Sequence, residues 1–241
     1  MKNFVKIGNK MLDWLYPPRC PICHEIIMPK GYLVCPSCAE RIQPIQEPRC
    51  KKCSKPIDNS AAEYCYDCLH TTHHFDQGMG IFPYSPLWQL SIMKFKYYGR
   101  KEYGKFYGTI MAFYGRSFLA RWKPQVIIPV PIHKSRLKKR GYNQAFEIAK
   151  WVGYRCNIPV DPKLVKRKSH TVPQKELSRK QRRQNLKEAF SIPSEAVFYE
   201  SVLIVDDIFT TGSTIDALAV LLKKHGVKRV YFLSLCVGGG F

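Results

Sequence analysis

The sequence predicts an α/β fold in which a parallel sheet is flanked by helices, preceded by a small N-terminal module built on two four-cysteine zinc sites. Three observations predict it. Residues 202–205 form a short, mostly β-branched apolar run that delivers Asp206 and Asp207 to its end, passes through Thr210-Thr211-Gly212-Ser213-Thr214, and enters a helical pattern over residues 215–222. From Phe75 onward, apolar runs of strand length alternate with amphipathic helical stretches, the order of a doubly wound sheet. Eight of the ten cysteines fall in four Cys-x-x-Cys pairs, with eleven residues between successive pairs.

The 241 residues suffice for one full α/β domain and one small appendage. A net charge of +21 and an isoelectric point near 9.6 favour polyanionic partners: nucleic acid, phosphorylated substrates or an anionic membrane surface. Two Zn²⁺ on eight thiolates would lower that charge by only about four. The sequence lacks the unbroken apolar run of about 18 residues that a membrane-spanning helix needs.

Taken in order, residues 1–19 read as an amphipathic helix that packs on the protein's own surface. Phe4, Val5, Ile7, Met11, Leu12, Trp14 and Leu15 recur at helical spacing, Lys6, Asn9, Lys10 and Asp13 interrupt them, and Pro17-Pro18 ends the segment. A secretory h-region would be more continuous and would be followed by a small-residue cleavage site.

Residues 20–70 hold the pairs Cys20/Cys23, Cys35/Cys38, Cys50/Cys53 and Cys65/Cys68, a fifteen-residue repeat. Two residues between cysteines let both sulfurs face one ion, and two such turns complete the tetrahedral shell of structural Zn²⁺. With every position filled by cysteine, these zincs fold the module rather than catalyse. Pairing the first four and the last four cysteines needs the fewest chain crossings, although the spacing also admits an interleaved arrangement. His24, His70, His73 and His74 read as bystanders, and Cys156 and Cys236 as core residues.

Residues 69–74 form a polar hinge, and the second domain is expected over 76–241. Residues 78–84 look like an edge strand, 86–96 and 102–121 like helices, and 126–131 like a buried parallel strand cut short by prolines. Residues 132–141 follow as a basic loop, then a helix over 142–151. Residues 163–190 carry Lys166-Arg167-Lys168, Gln174, Arg179-Lys180, Arg182-Arg183, Asn185 and Lys187, which suit either a solvated charged segment or an active-site flap. The chain closes with the helix ending at His225-Gly226 and a strand over 229–236.

A strand, an acidic pair, a hydroxyl-rich turn and a helix start form a cradle for a phosphate, while the carboxylates suit sugar hydroxyls directly or through Mg²⁺. The run from Val202 to Thr214 resembles the phosphoribosyl pyrophosphate (PRPP) signature of type I phosphoribosyltransferases. That resemblance implies that Asp206 and Asp207 hold the ribose hydroxyls and that Thr210, Thr211, Gly212, Ser213 and Thr214 wrap the 5-phosphate, with Mg²⁺ accompanying PRPP. The resemblance further implies that Pro131, His133, Lys134, Arg136 and Arg140 make the pyrophosphate loop and that Gln174, Arg182 and Asn185 belong to the flap, if residues 163–190 are one. No residue specifies a nucleobase, and no catalytic residue is assigned.

Joined to the cysteine pairs, this signature narrows the field. The entry Leu15-Tyr16-Pro17-Pro18-Arg19-Cys20, the segment Lys94-Phe95-Lys96-Tyr97, Pro129-Val130-Pro131 and Arg140-Gly141-Tyr142-Asn143-Gln144 make the chain similar, over nearly its whole length, to the ComF family of bacterial competence proteins. The resemblance implies a cytoplasmic protein of natural transformation that works near incoming single-stranded DNA with a helicase-like partner. Residues 94–103 interleave cations with aromatics, as single-strand-binding surfaces do. Two alternatives share the ligand site: an active phosphoribosyltransferase of nucleotide metabolism, and a PRPP-sensing regulator.

Overall fold

In the computed structural model, which describes residues 17–168, 189–193 and 199–238, the cysteine pairs build two unlike knuckles used in alternation. At Cys20 the chain turns tightly: His24 N–H donates to Cys20 O, and Cys20 N–H to Glu25 O. The same bonds recur from Ser54 to Cys50 and from Cys50 to Lys55. At Cys35 and Cys65 the chain instead enters short helices, α1 (Pro36–Ala39) and α2 (Tyr66–His70). Cys20 thus corresponds to Cys50 and Cys35 to Cys65, so the fifteen-residue spacing in sequence is half of one structural repeat.

The sheet consists of β1 (Gln77–Pro83), β2 (Val126–Pro129), β5 (Ser201–Phe209) and β6 (Arg229–Val237), all parallel in the order β1-β6-β5-β2. Between them run α3 (Pro86–Tyr97), α4 (Tyr103–Tyr114), α5 (Arg116–Trp122), α6 (Lys134–Arg140), α7 (Gln144–Cys156) and α8 (Ser213–Lys224). A two-residue ribbon, β3 (Lys166–Arg167) against β4 (Phe190–Ser191), stands apart. Both sheet faces are covered, which is why the central strands read as continuous apolar runs. Leu203, Val205, Leu233 and Leu235 pack with Trp88, Phe106, Tyr107, Ile148 and Val152. On the other face, Val202, Ile204, Val230 and Phe232 pack with Leu218 and Leu222 of α8.

The cysteine module is part of this core. The first site, through Cys20, Ile22, Ile27 and Cys38, joins the cluster on one face; the second, through Ile45, Cys50 and Cys53, joins the other. Between them the chain runs along the open edge of β1. Ile45 N–H donates to Ile81 O, Gly78 N–H to Lys52 O, and Ser54 Oγ–H to Gly78 O. An edge that would otherwise offer unpaired groups to other chains is thereby covered. Gly78 is required there: a Cβ would lie 1.8 Å from the ring of Phe232.

Several expected elements change. The helix over 102–121 is two, α4 and α5, meeting at Gly115. The helix expected over 142–151 begins two residues later and runs on to Cys156. The basic segment 132–141 contains α6 rather than a continuous loop. His133 Nδ1 caps it by accepting from Ser135 N–H, and Gly141 closes it; α6 buries no residue, so its sequence shows no apolar periodicity to reveal it. The strand at 202–205 extends to Phe209, so the acids lie within β5. Of the helix expected over residues 1–19, only residues 17–19 are described, and these are not helical; the flap residues Gln174, Arg182 and Asn185 lie outside the described residues.

Candidate functional site

In each half of the module, four sulfurs converge. The sulfurs of Cys20, Cys23, Cys35 and Cys38 all lie within 4.8 Å of one another, and so do those of Cys50, Cys53, Cys65 and Cys68. Cys23 and Cys35 are 3.9 Å apart and Cys53 and Cys65 3.6 Å, close to the roughly 3.8 Å edge of a tetrahedron whose Zn–S bonds are about 2.3 Å. The residues fit two structural zinc sites, and the pairing is sequential, not interleaved. In the second site hydrogen bonds from Cys53, Cys65 and Cys68 draw the Cys50 thiol below its usual range.

Among the described residues, no histidine enters either cluster. His24 pairs through Nδ1 with Tyr103 Oη at 3.1 Å, and His70 with Tyr66 O at 2.8 Å. His73 has a different role. Its Nδ1 lies 2.5 Å from Asp216 Oδ2 in the first turn of α8, while His74 N–H donates to Asp216 Oδ1. The segment expected to be a hinge is therefore tied to the hydroxyl loop, and His73 Cε1 would be 3.1 Å from a Cβ at Gly212. Gly212, at φ +76°, turns the chain from that loop into α8.

At the carboxyl end of the sheet, β5 carries Asp206 and Asp207. Asp207 is buried and held by Lys96 of α3, whose Nζ lies 2.9 Å from Oδ1 and 2.7 Å from Oδ2. Asp206 Oδ1 accepts from Asp207 N–H at 2.9 Å. Burial and the Asp207 charge push the Asp206 carboxyl up to about 7, against the pull of Lys96 and Arg167. Thr210 and Thr211 are exposed, Thr211 Oγ1 lies 2.9 Å from Ser213 Oγ, and Ser213 and Thr214 occupy the first turn of α8.

The basic segment comes to the same end of the sheet. Arg140 donates to Gln144 Oε1 at 2.7 Å, stacks on Tyr97 with its guanidinium 4.9 Å from the ring centre, and acts electrostatically on Lys96. Arg167 of β3 interacts with Arg136 and Asp206; burial, then the Arg136 charge, lowers its pKa. Pro131 follows β2, His133 is engaged in capping α6, and Lys134 is the exposed first residue of that helix. In residues 94–103, Phe95 and Tyr103 are core, whereas Tyr97 and Tyr98 are 58% and 63% exposed and Lys94 lies over Tyr98.

Sequence reasoning missed Lys96, Arg167, His73 and Asp216 as parts of one site. Lys96 was grouped with surface cations, yet it continues the buried helical face of Trp88 and Ile92 at four-residue steps, a signal that was available. The other three join through long-range contacts.

For Asp206, proton binding is tighter in the folded state than in the unfolded chain. Its stabilising contribution is full below the ordinary carboxylate range and is lost as pH rises to about 7. An Asp206 carboxyl carbon followed by NMR is expected to titrate near 7 in the wild type, and lower in Asp207→Asn, where a like charge is gone and Lys96 is freed to act on Asp206. An ordinary carboxylate midpoint in the wild type contradicts this electrostatic picture.

Residues 11–69 match the double zinc ribbon domain family, and residues 137–239 the phosphoribosyl transferase domain family. Competence protein F of Haemophilus influenzae is 35% identical over 72% of this chain and 78% of its own length. DNA utilization protein YhgH of Escherichia coli O157:H7 is 29% identical over 71% and 77%, and competence protein ComFC of Streptococcus pneumoniae 26% identical over 71% of each. With two zinc-type cysteine clusters built onto a parallel sheet that ends in an acidic pair and a hydroxyl loop, the chain belongs to the competence protein F family.

Proposed function

We propose that this protein acts in DNA uptake, binding a 5-phosphoribosyl ligand such as PRPP at the end of β5 and single-stranded DNA on the basic surface beside it. The observation that carries the ligand is the continuous run of Asp206, Asp207, Thr210, Thr211, Gly212, Ser213 and Thr214 from β5 into the first turn of α8. First-turn N–H groups lack intrahelical partners and attract a phosphate, to which the hydroxyls add donors. The acids suit ribose hydroxyls, and Arg136, Arg140 and Arg167 supply positive charge for a pyrophosphate. Pro131, His133 and Lys134 complete that segment, and Gln174, Arg182 and Asn185 the flap. Mg²⁺ belongs to this reading as the companion of the pyrophosphate, whose hard oxygens suit it.

The DNA part rests on the relatives, named for competence and DNA utilization, and on the charge of +21. Exposed Tyr97 and Tyr98, bordered by Lys94, Arg100 and Arg140, offer bases a stacking surface and phosphates a set of cations. A helicase-like partner and a cytoplasmic location complete the reading; zinc-binding thiolates favour a reducing compartment. Among the described residues, no helix is long and apolar enough to cross a membrane.

Calorimetric titration of PRPP with Mg²⁺ tests the ligand site. Asp206→Asn/Asp207→Asn is expected to bind about tenfold or more weakly than wild type, since hydrogen bonds to charged groups contribute about 1.5–3 kcal/mol each; equal affinity overturns the assignment. For DNA, the logarithm of the binding constant for a fluorescent oligonucleotide is expected to fall linearly with the logarithm of salt concentration, with a slope of about −0.7 per neutralised phosphate. Lys94→Ala/Arg100→Ala should flatten that slope, and salt-independent binding removes the basic surface from the account.

A further inference from the structure

We infer that Lys96 is a built-in cation of the acidic pair: it occupies the place a bridging divalent ion would take between Asp207 and a ligand, so the pair receives sugar hydroxyls without a metal of its own. The inference deepens the phosphoribosyl reading of the site and depends on it for the ligand, but not for the exclusion of the ion.

The geometry is that of an occupied cation site. Lys96 Nζ sits 2.9 Å and 2.7 Å from the two oxygens of Asp207, and the pair is largely withdrawn from water, the side chains being 21% and 9% exposed. Surface ion pairs are labile, whereas breaking a buried one leaves an uncompensated charge. Lys96 is also anchored from behind. It is in the last turn of α3, next to Phe95, whose ring is fully buried and whose backbone carbonyl accepts from the hydroxyl of buried Tyr142. The other carboxylate is partly engaged too, since Asp206 Oδ1 accepts from the backbone N–H of Asp207.

A hard divalent ion needs several oxygen ligands and would meet an ammonium already seated on the same carboxylate, with Arg140 and Arg167 adding like charge nearby. Sugar hydroxyls face no such barrier. Each carboxylate oxygen has two lone pairs, so a hydroxyl donor can share an oxygen with Lys96, and a neutral donor is not repelled by the cation. The arrangement therefore selects a polyol over a metal ion at this position. Any Mg²⁺ reaching the site rides on the ligand's phosphates.

Mn²⁺ alone is the probe, followed by the amplitude of the free-ion paramagnetic resonance signal on zinc-loaded protein. Wild type is expected to bind no Mn²⁺ through the acidic pair, and Lys96→Met to gain one site, lost again in Lys96→Met/Asp207→Asn. Lys96→Arg, which keeps the charge, should exclude Mn²⁺ as wild type does, and zinc content reports that each variant is folded. A wild-type Mn²⁺ site abolished by Asp207→Asn overturns the inference, and so does a folded Lys96→Met that gains none. In a second titration, ribose 5-phosphate is expected to bind wild type equally with and without Mg²⁺; Mg²⁺-dependent binding counts against the inference. No binding of ribose 5-phosphate in either condition would contradict the phosphoribosyl reading, while the Mn²⁺ result still decides the role of Lys96.

Discussion

Four sulfurs held within a few ångströms of one another, twice over, are the constraint on which the rest of this structure depends. The residues around them have few apolar side chains and only two short helices, too little core to hold a shape without a cross-link. Once each set of thiolates is gathered on an ion, the two knuckles become rigid enough to grip the sheet at three places. One packs on each face, and the chain between them hydrogen-bonds along the free edge of β1. The zinc sites are thus part of the sheet domain's core.

That attachment reaches the carboxyl end of the sheet. The chain leaving the second cysteine site passes His73, which is buried against the turn at Gly212 and bound to Asp216 in the first turn of α8. Phe75 then packs edge-on against Phe209 and Phe232, at the end of β5 and in the middle of β6. A change in the second metal site would therefore be felt through His73 and Phe75 at the loop assigned to the phosphate. Lys96 reaches Asp207 of β5 along a helix whose buried side packs near the first cysteine site, where Ser91 Oγ–H donates to Pro21 O and Trp88 joins the same core. The two cysteine sites thus adjoin neighbouring parts of β5 and its following loop: the first by way of α3 and Lys96 at Asp207, the second by way of His73 and Phe75 at Gly212, Asp216 and Phe209.

Much of this was legible in the sequence because it is local. Cysteine spacing announces knuckles, a β-branched run before two acids announces a strand, and hydroxyls around a glycine announce the turn, since each pattern is set by neighbours in the chain. The fold class followed from the alternation of those patterns. What was not legible is either long-range or without an apolar signature. Helix α6 has no buried face, so only its cap and its closing glycine mark it. The halved repeat was hidden because unlike knuckles share one spacing. His73 and Asp216 are separated by most of the chain, and nothing near either residue names the other. Lys96 lies between these cases: its helical phase with Trp88 and Ile92 placed it on the inner face, but its charge and aromatic neighbours suggested the surface.

The central claim, that the cysteine sites hold the sheet and the hydroxyl loop after β5 as one body, is tested most directly by hydrogen exchange before and after zinc is stripped with a strong chelator. Protection is predicted to fall together in the knuckles, along β1 and in the loop at residues 210–214, because the edge bonds from Lys52 and Ile45 and the His73–Asp216 contact go with the metal. Loss confined to residues 20–70, with β1 and the loop as protected as before, would contradict it.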